Sequence, residues 1–213
     1  MSQKKQKCRY LVGIDEAGRG PLAGPVVVAI LKIDTTPSVL RKIQYLFRDI
    51  RDSKKLTCKK RESWFLKMRE AKKVGILEYC ASSSSAGCID KMGIVYGIRK
   101  ALNHSLKKLY LNPAYTRIKL DGSLYAPKKF IYQKTIIRGD ETERIIAMAS
   151  VVAKVHRDRI MLHYARNFPR YGFEQHKGYG TRLHYRSIKK YGICKIHRKS
   201  FLYSCKYLKY NVK

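Results

Sequence analysis

Apolar positions along this chain fall into short unbroken runs that stop at acids or glycines, alternating with longer stretches of helical period. The first run, Tyr10 to Ile14, ends on the acidic pair Asp15-Glu16, and a second, Val26 to Ile30, is rich in β-branched residues. Between them, Gly18 to Pro25 holds three glycines and two prolines in eight residues, a composition that shapes the backbone for a tight turn and close approach by a neighbour. The pattern predicts strands over 9–15 and 26–33. A helix is expected from Pro37 to about residue 49, and another from an N-cap at Thr57 to residue 71, with Trp64, Phe65 and Met68 on its apolar side.

Further on, 74–80 reads as a strand and 82–87 as a small-residue loop. A long helix is expected over 89–110, because Ile94, Ile98, Leu102 and Leu106 repeat every fourth position. Strands follow over 118–121 and 130–137, then a long helix over 142–166 stopped by Phe168-Pro169. A loop over 176–181 leads to a short helix capped by Thr181 and reaching residue 190. The segment 196–213 is basic and aromatic; Tyr203, Tyr207 and Tyr210 stand about one turn apart, as a docking helix or a base-stacking strip. Strands first, then helices alternating with strands, imply an α/β fold: one mixed sheet with helices packed on it and a helical cap from the last third.

Length and an apolar fraction of 45% suit one globular domain. Charge changes the picture more: 47 Lys plus Arg against 15 Asp plus Glu leaves a net +32, which favours a polyanion, nucleic acid above all, as partner. A non-catalytic nucleic-acid-binding protein would show the same balance. The six cysteines form no C-x-x-C pair, so reduced thiols in a cytoplasmic protein are expected; Cys194 and His197 are read as packing or surface. No run approaches the roughly 20 apolar residues of a membrane span.

In a chain this basic, acids at the ends of apolar runs stand out. Asp15, Glu16, Asp121 and Asp140 all sit there, and hard divalent cations want several carboxylate oxygens in one place. Each has an alternative. Asp121-Gly122 is a common turn pair. Asp140 and Glu143 have capping-box spacing. Asp15 and Glu16 face opposite sides of a regular strand. Asp158, flanked by Arg157 and Arg159, reads as an ion pair; about 18 residues along the helix from Asp140, it is roughly 27 Å away. The stretch Gly18 to Gly24 comes near the G-x-G-x-x-G dinucleotide pattern, but Pro21, Pro25 and the strand that follows exclude a helix start there.

Asp15-Glu16-Ala17-Gly18-Arg19-Gly20-Pro21-Leu22-Ala23-Gly24-Pro25 resembles the signature of type 2 ribonuclease H, ribonuclease HII. The similarity continues through Asp52-Ser53-Lys54-Lys55-Leu56, Ile89-Asp90, Asp121-Gly122, Gly139-Asp140 and Ala149-Ser150. It goes on through Arg157-Asp158, His176-Lys177-Gly178-Tyr179-Gly180-Thr181 with His184, and His197-Arg198 with Ser200-Phe201. The resemblance implies a ribonuclease H-like catalytic domain over 9–170, a disordered basic segment over 1–8, and a C-terminal helical extension over 171–213 packed on the domain. It implies hydrolysis of RNA in RNA–DNA hybrids and cutting 5′ of single ribonucleotides embedded in duplex DNA, leaving 3′-hydroxyl and 5′-phosphate ends. Two ions, Mg²⁺ or Mn²⁺, are implied at Asp15, Glu16, Asp121 and Asp140.

The resemblance also makes Gly18, Arg19, Gly20 and Tyr179 the readers of the 2′-hydroxyl, although Tyr179 also reads as a turn aromatic. Ser53, Lys54, Lys55, Lys177, Arg198 and Ser200 are phosphate-contact candidates, with solvated surface charge the alternative for each lysine. A monomer is expected. Ribonuclease HIII is the nearer rival; with fourteen residues ahead of Asp15, its usual extra N-terminal domain is not expected.

Overall fold

The computed structural model describes residues 8–50 and 56–203. Five strands, β1 (Tyr10–Ala17), β2 (Val26–Asp34), β3 (Glu78–Ser84), β4 (Thr116–Asp121) and β5 (Gln133–Ile136), form one sheet in the order β3-β2-β1-β4-β5. β1, β4 and β5 are parallel neighbours, while β2 runs antiparallel to both β1 and β3. The helices are α1 (Pro37–Leu46), α2 (Cys58–Lys73), α3 (Ala86–Met92), α4 (Ile94–Lys108), α5 (Gly139–Thr142), α6 (Arg144–Asn167), α7 (Phe173–His176), α8 (Arg182–Tyr191) and α9 (Lys199–Tyr203). No helix among the described residues is long and apolar enough to cross a membrane.

Both faces of the central strands are covered, which explains why β2 is apolar without alternation. Ala29, Leu31 and Ile33 pack with Trp64, Phe65 and Met68 of α2 and with α6. Val12, Ile14, Val28 and Ile30 pack on the other side with Ile98, Leu102 and Leu106 of α4. The start of α6, Ile145 to Ala153, is buried all round. It lies so close to β1 that a Cβ on Gly13 would come 2.2 Å from the Ile145 carbonyl oxygen. This contact sets the α6 face of β1, the face that carries Asp15.

Several boundaries depart from the sequence expectation. The long helix over 89–110 is two helices, because Gly93 turns out at φ +83° and donates its N–H to Ile89 to close α3; the fourfold stripe belongs to α4. β3 lies later than 74–80: α2 runs on to Lys73, and Ser82 to Ser84 pair with Val26 to Val28 of β2. β5 is shorter than 130–137, since Phe130 joins the core and the Gln133 amide bonds loop groups at Ala126 and Phe130. Thr57 and Thr181 do cap α2 and α8, accepting from Lys60 and His184. Of the segment 1–8 only Cys8 is described, and it is buried. Tyr207 and Tyr210 lie outside the described residues.

Candidate active site

The three parallel strands end side by side. Ile14 of β1 is level with Leu120 of β4, so Asp15 and Asp121 follow at neighbouring strand ends; Asp121 is level with Ile136 of β5, after which the chain turns into α5 and presents Asp140. Asp15, Asp121 and Asp140 each offer a carboxylate oxygen, and these oxygens lie within 4.8 Å of one another. Asp15 and Asp140 are buried. Asp121 is aimed by the start of α5: its Oδ1 accepts from the Gly139 N–H at 2.6 Å and from the Asp140 N–H at 3.4 Å. The capping-box alternative for Asp140 is not what forms. α5 has no side-chain cap, and Glu143 pairs with Lys119 at 2.6 Å instead.

β1 is regular through Ala17, with no bulge. Asp15 therefore faces α6, where the Ser150 hydroxyl bonds it, and Glu16 faces the other way, with Arg19 at 3.5 Å. Glu16 is not within the aspartate cluster, yet it lines the same cavity of about 290 Å³ as Asp15, Asp121, the Gly18–Gly20 turn, Ser150, Lys154 and Tyr179. Burial, then the charges of Glu16 and Asp121, push the Asp15 carboxyl well above the usual carboxylate range. Burial and Asp121 raise Glu16 also, against the pull of Arg19. Acceptor-only groups held this close repel unless a proton or a cation sits among them. An all-oxygen donor set suits a hard divalent ion, and the cluster can hold one.

The glycine-rich turn is held from behind. Arg198 is fully buried and donates to the carbonyls of Gly18 at 2.6 Å, Arg19 at 2.9 Å and Gly24 at 3.0 Å. Arg157, equally buried, donates to Pro25 at 3.1 Å and Ala23 at 3.2 Å. Gly18, at φ +91°, admits no side chain, since a Cβ there would lie 2.0 Å from Arg157 Nε. At Gly20 a Cβ would meet nothing within 4 Å, which leaves that edge of the turn open to the cavity. Leu22 and Ala23 donate to the Gly178 carbonyl, Gly24 donates to that of Ile196, and Ala23 pairs with His197 in an isolated bridge. Tyr179, 42% exposed, thus stands over the cavity on a loop stitched to the turn, with the Arg157 guanidinium 5.6 Å and the Lys154 ammonium 5.7 Å from its ring.

The phosphate-contact expectations fare less well. Arg198 is no surface ligand: its guanidinium is consumed by turn carbonyls. Ser200 bonds Asp90 at 2.7 Å, and that carboxylate also accepts from the N–H groups of Lys199 and Ser200. The Lys177 ammonium lies on the Glu174 carbonyl. Ser53, Lys54 and Lys55 lie outside the described residues. Asp158 is an ion pair as expected, but with Lys154 at 2.8 Å and Arg61 at 3.7 Å rather than with its chain neighbours. Arg157, Ser150 and Lys154 border the site without having been singled out; Ser150 and Arg157 lie in segments that carry the family resemblance, and Lys154 lies between them. A larger hollow of about 980 Å³ between α1 and α2 is lined mainly by apolar groups. Its acids, Glu62 and Glu70, are paired with Arg159, Arg69 and Lys73.

Similarity to known proteins agrees with this geometry. A family model described as ribonuclease HII matches residues 12–204. A ribonuclease HII of Geotalea daltonii is 44% identical, over 90% of this chain and 82% of its own length. One from Chlorobium chlorochromatii is 40% identical, over 92% of this chain and 91% of its own. The crystal structure of ribonuclease H2 from Pyrococcus horikoshii superposes with a TM-score of 0.65 at 26% identity, covering 93% of this chain and 95% of that one. A match of this depth, running from within β1 to beyond α9, makes the chain a member of the ribonuclease HII family.

Proposed function

We propose that this chain is an endoribonuclease that hydrolyses RNA in RNA–DNA hybrids and cuts 5′ of single ribonucleotides embedded in duplex DNA. The products carry 3′-hydroxyl and 5′-phosphate ends, as expected in ribonucleotide excision and primer removal. The observation that carries this reading is the convergence of three aspartates at neighbouring parallel strand ends, beside an open glycine turn. Asp15, Glu16, Asp121 and Asp140 are the proposed holders of two ions, Mg²⁺ or Mn²⁺. Bound there, such ions supply Lewis acidity for phosphodiester hydrolysis.

The chain's own groups do the rest. Ser150 and the Glu16 N–H hold the Asp15 carboxylate in place, and the amides of Gly139 and Asp140 hold that of Asp121. Carbonyls of the turn are taken by Arg198 and Arg157, so the Gly18–Gly20 segment keeps its shape while its open edge meets the sugar. The Tyr179 phenol reads the 2′-hydroxyl, the group that separates RNA from DNA. Carboxylates, turn and Tyr179 all come from one chain, so the proposed site, in a proposed monomer, asks for no residue of a second copy. Phosphate contacts fix register without reading bases, and the net charge of +32 makes binding fall steeply with salt.

The test is a labelled DNA duplex with one ribonucleotide, incubated with Mg²⁺ or Mn²⁺ and with chelator. A single metal-dependent cut on the 5′ side of the ribonucleotide is expected. Metal-independent cleavage, or equal cutting of an all-DNA control, contradicts the assignment. With Tyr179→Ala, cleavage at the ribonucleotide should fall by about 10- to 100-fold, while affinity for plain duplex DNA stays within about threefold.

A further inference from the structure

Three histidines are buried beneath the Tyr179 loop: His176 at 8%, His184 at 0% and His197 at 3% exposure. The His176 and His184 rings stack with centroids 4.4 Å apart, and His184 and His197 meet Nε2 to Nε2 at 3.0 Å. Neither the carboxylate chemistry nor phosphate contact uses them. Their hydrogen bonds fix which nitrogen carries each proton.

His184 Nδ1 lies 2.9 Å from the Tyr179 carbonyl, which only accepts, so this nitrogen bears a proton. At the other end, the Cys194 backbone N–H, which only donates, lies 2.9 Å from His197 Nδ1. That nitrogen must therefore be bare. The Cys194 carbonyl, 3.3 Å away, already accepts from the His197 N–H at 3.0 Å. In a neutral ring the second nitrogen takes the opposite role. His197 Nε2–H then donates to the bare Nε2 of His184, and every contact closes. His176 is wired likewise: it accepts from the Gly178 N–H at 3.1 Å and donates from Nε2 to the Tyr171 carbonyl at 2.8 Å.

We propose that Cys194 N–H, His197 and His184 form a one-way hydrogen-bond relay ending on the Tyr179 carbonyl, and that His184 and His197 are positioning residues for ribonucleotide recognition. The idea rests on the reading of Tyr179 given above and deepens it. The relay ties the backbone of the sugar-reading residue to the segment that bridges Ala23 of the glycine turn, so phenol and turn keep one relative placement. An extra proton on either ring would set two N–H groups against each other, at Nε2–Nε2 or at Cys194. The surroundings agree: Phe173 and Tyr171 pack on the rings, the Cys194 thiol lies 3.1 Å from His197, and burial lowers His184 to about 3 and His197 to about 4.

Two measurements test this. Long-range ¹H–¹⁵N correlation of the full chain at pH 6 should show His184 as the Nδ1–H tautomer and His176 and His197 as Nε2–H, all neutral. A reversed tautomer or a charged ring at His184 or His197 overturns the relay. Single-turnover cleavage of a duplex with one ribonucleotide then tests the role. His184→Leu should lower the rate about tenfold, as expected for one lost orienting hydrogen bond. His184→Asn, whose amide can still donate to Tyr179, should recover most of it, and His184→Gln should not. In a double-mutant cycle, adding His184→Leu to Tyr179→Ala should cost nothing further. Additive losses, or equal failure of Leu and Asn, show a merely structural histidine while leaving Tyr179 as the reader. If Tyr179→Ala alone leaves ribonucleotide selectivity intact, the reader assignment falls, and the positioning role falls with it.

Discussion

The aspartate cluster and the histidine cluster both border the glycine-rich turn, and they handle buried polarity in opposite ways. The histidines match every donor to an acceptor, so their network is closed when neutral. The aspartates bring acceptors together with too few donors, so theirs is closed only by something from outside. The contrast separates a scaffold from a site. A fully matched polar network specifies one geometry, whereas an under-matched one at a strand end is where a ligand belongs.

Breaking the open cluster should have the largest effect. Asp15→Asn is expected to lower single-turnover cleavage about a thousandfold or more, leave plain-duplex affinity unchanged, and raise the metal-free melting temperature by relieving repulsion. A variant that cuts normally removes Asp15 from the chemistry. Breaking the scaffold comes next. Arg198→Met strips partners from three turn carbonyls, two of them buried, and should cost about 2–4 kcal/mol in urea unfolding; a loss under about 0.5 kcal/mol would mean that water replaces the guanidinium freely.

The two clusters also titrate in opposite senses. His184 and His197, near 3 and 4 when folded against 6.5 in the open chain, stabilise the fold above pH 6.5, and that stability is lost as pH falls. At pH 5 the loss should be about 2 kcal/mol per histidine, measurable by urea unfolding, and His184→Leu should remove the His184 share. Asp15, raised when folded, acts the other way: its contribution is present at acid pH and lost as pH rises. Added Mg²⁺ should therefore raise the melting temperature more at pH 7.5 than at pH 5. The smallest effect is expected at Ser200, whose hydroxyl is engaged by Asp90 on the exposed start of α9. Ser200→Ala should change duplex affinity by less than about twofold, and a larger loss would restore it as a phosphate contact.

The same contrast marks what the sequence discloses. An acid at the end of an apolar run is anomalous among its own neighbours, so Asp15 and Asp121 are readable locally. Asp140 is ambiguous until Glu143 is seen to prefer Lys119. The turn is legible from its glycines and prolines, but what holds it is not. Arg157 reads as an ion-pair neighbour of Asp158 and Arg198 as a phosphate contact, and neither carries a local sign of burial. Their burial depends on carbonyls more than 130 residues away in the chain. His176 and His184 share one short block, yet their partner His197 sits in what looks like a stray C-x-x-H. Helix–sheet alternation gives the layers, while Gly93 and the serines of β3 shift boundaries because positive φ and edge pairing override composition.

The bend proposed to meet the ribose is written into residues 18–24, but the guanidinium that clasps it is encoded 180 positions further on. A ribosome exposes the first long before the second. A growing polypeptide thus carries Asp15, Glu16 and the bend long before the arginine that holds that bend in shape.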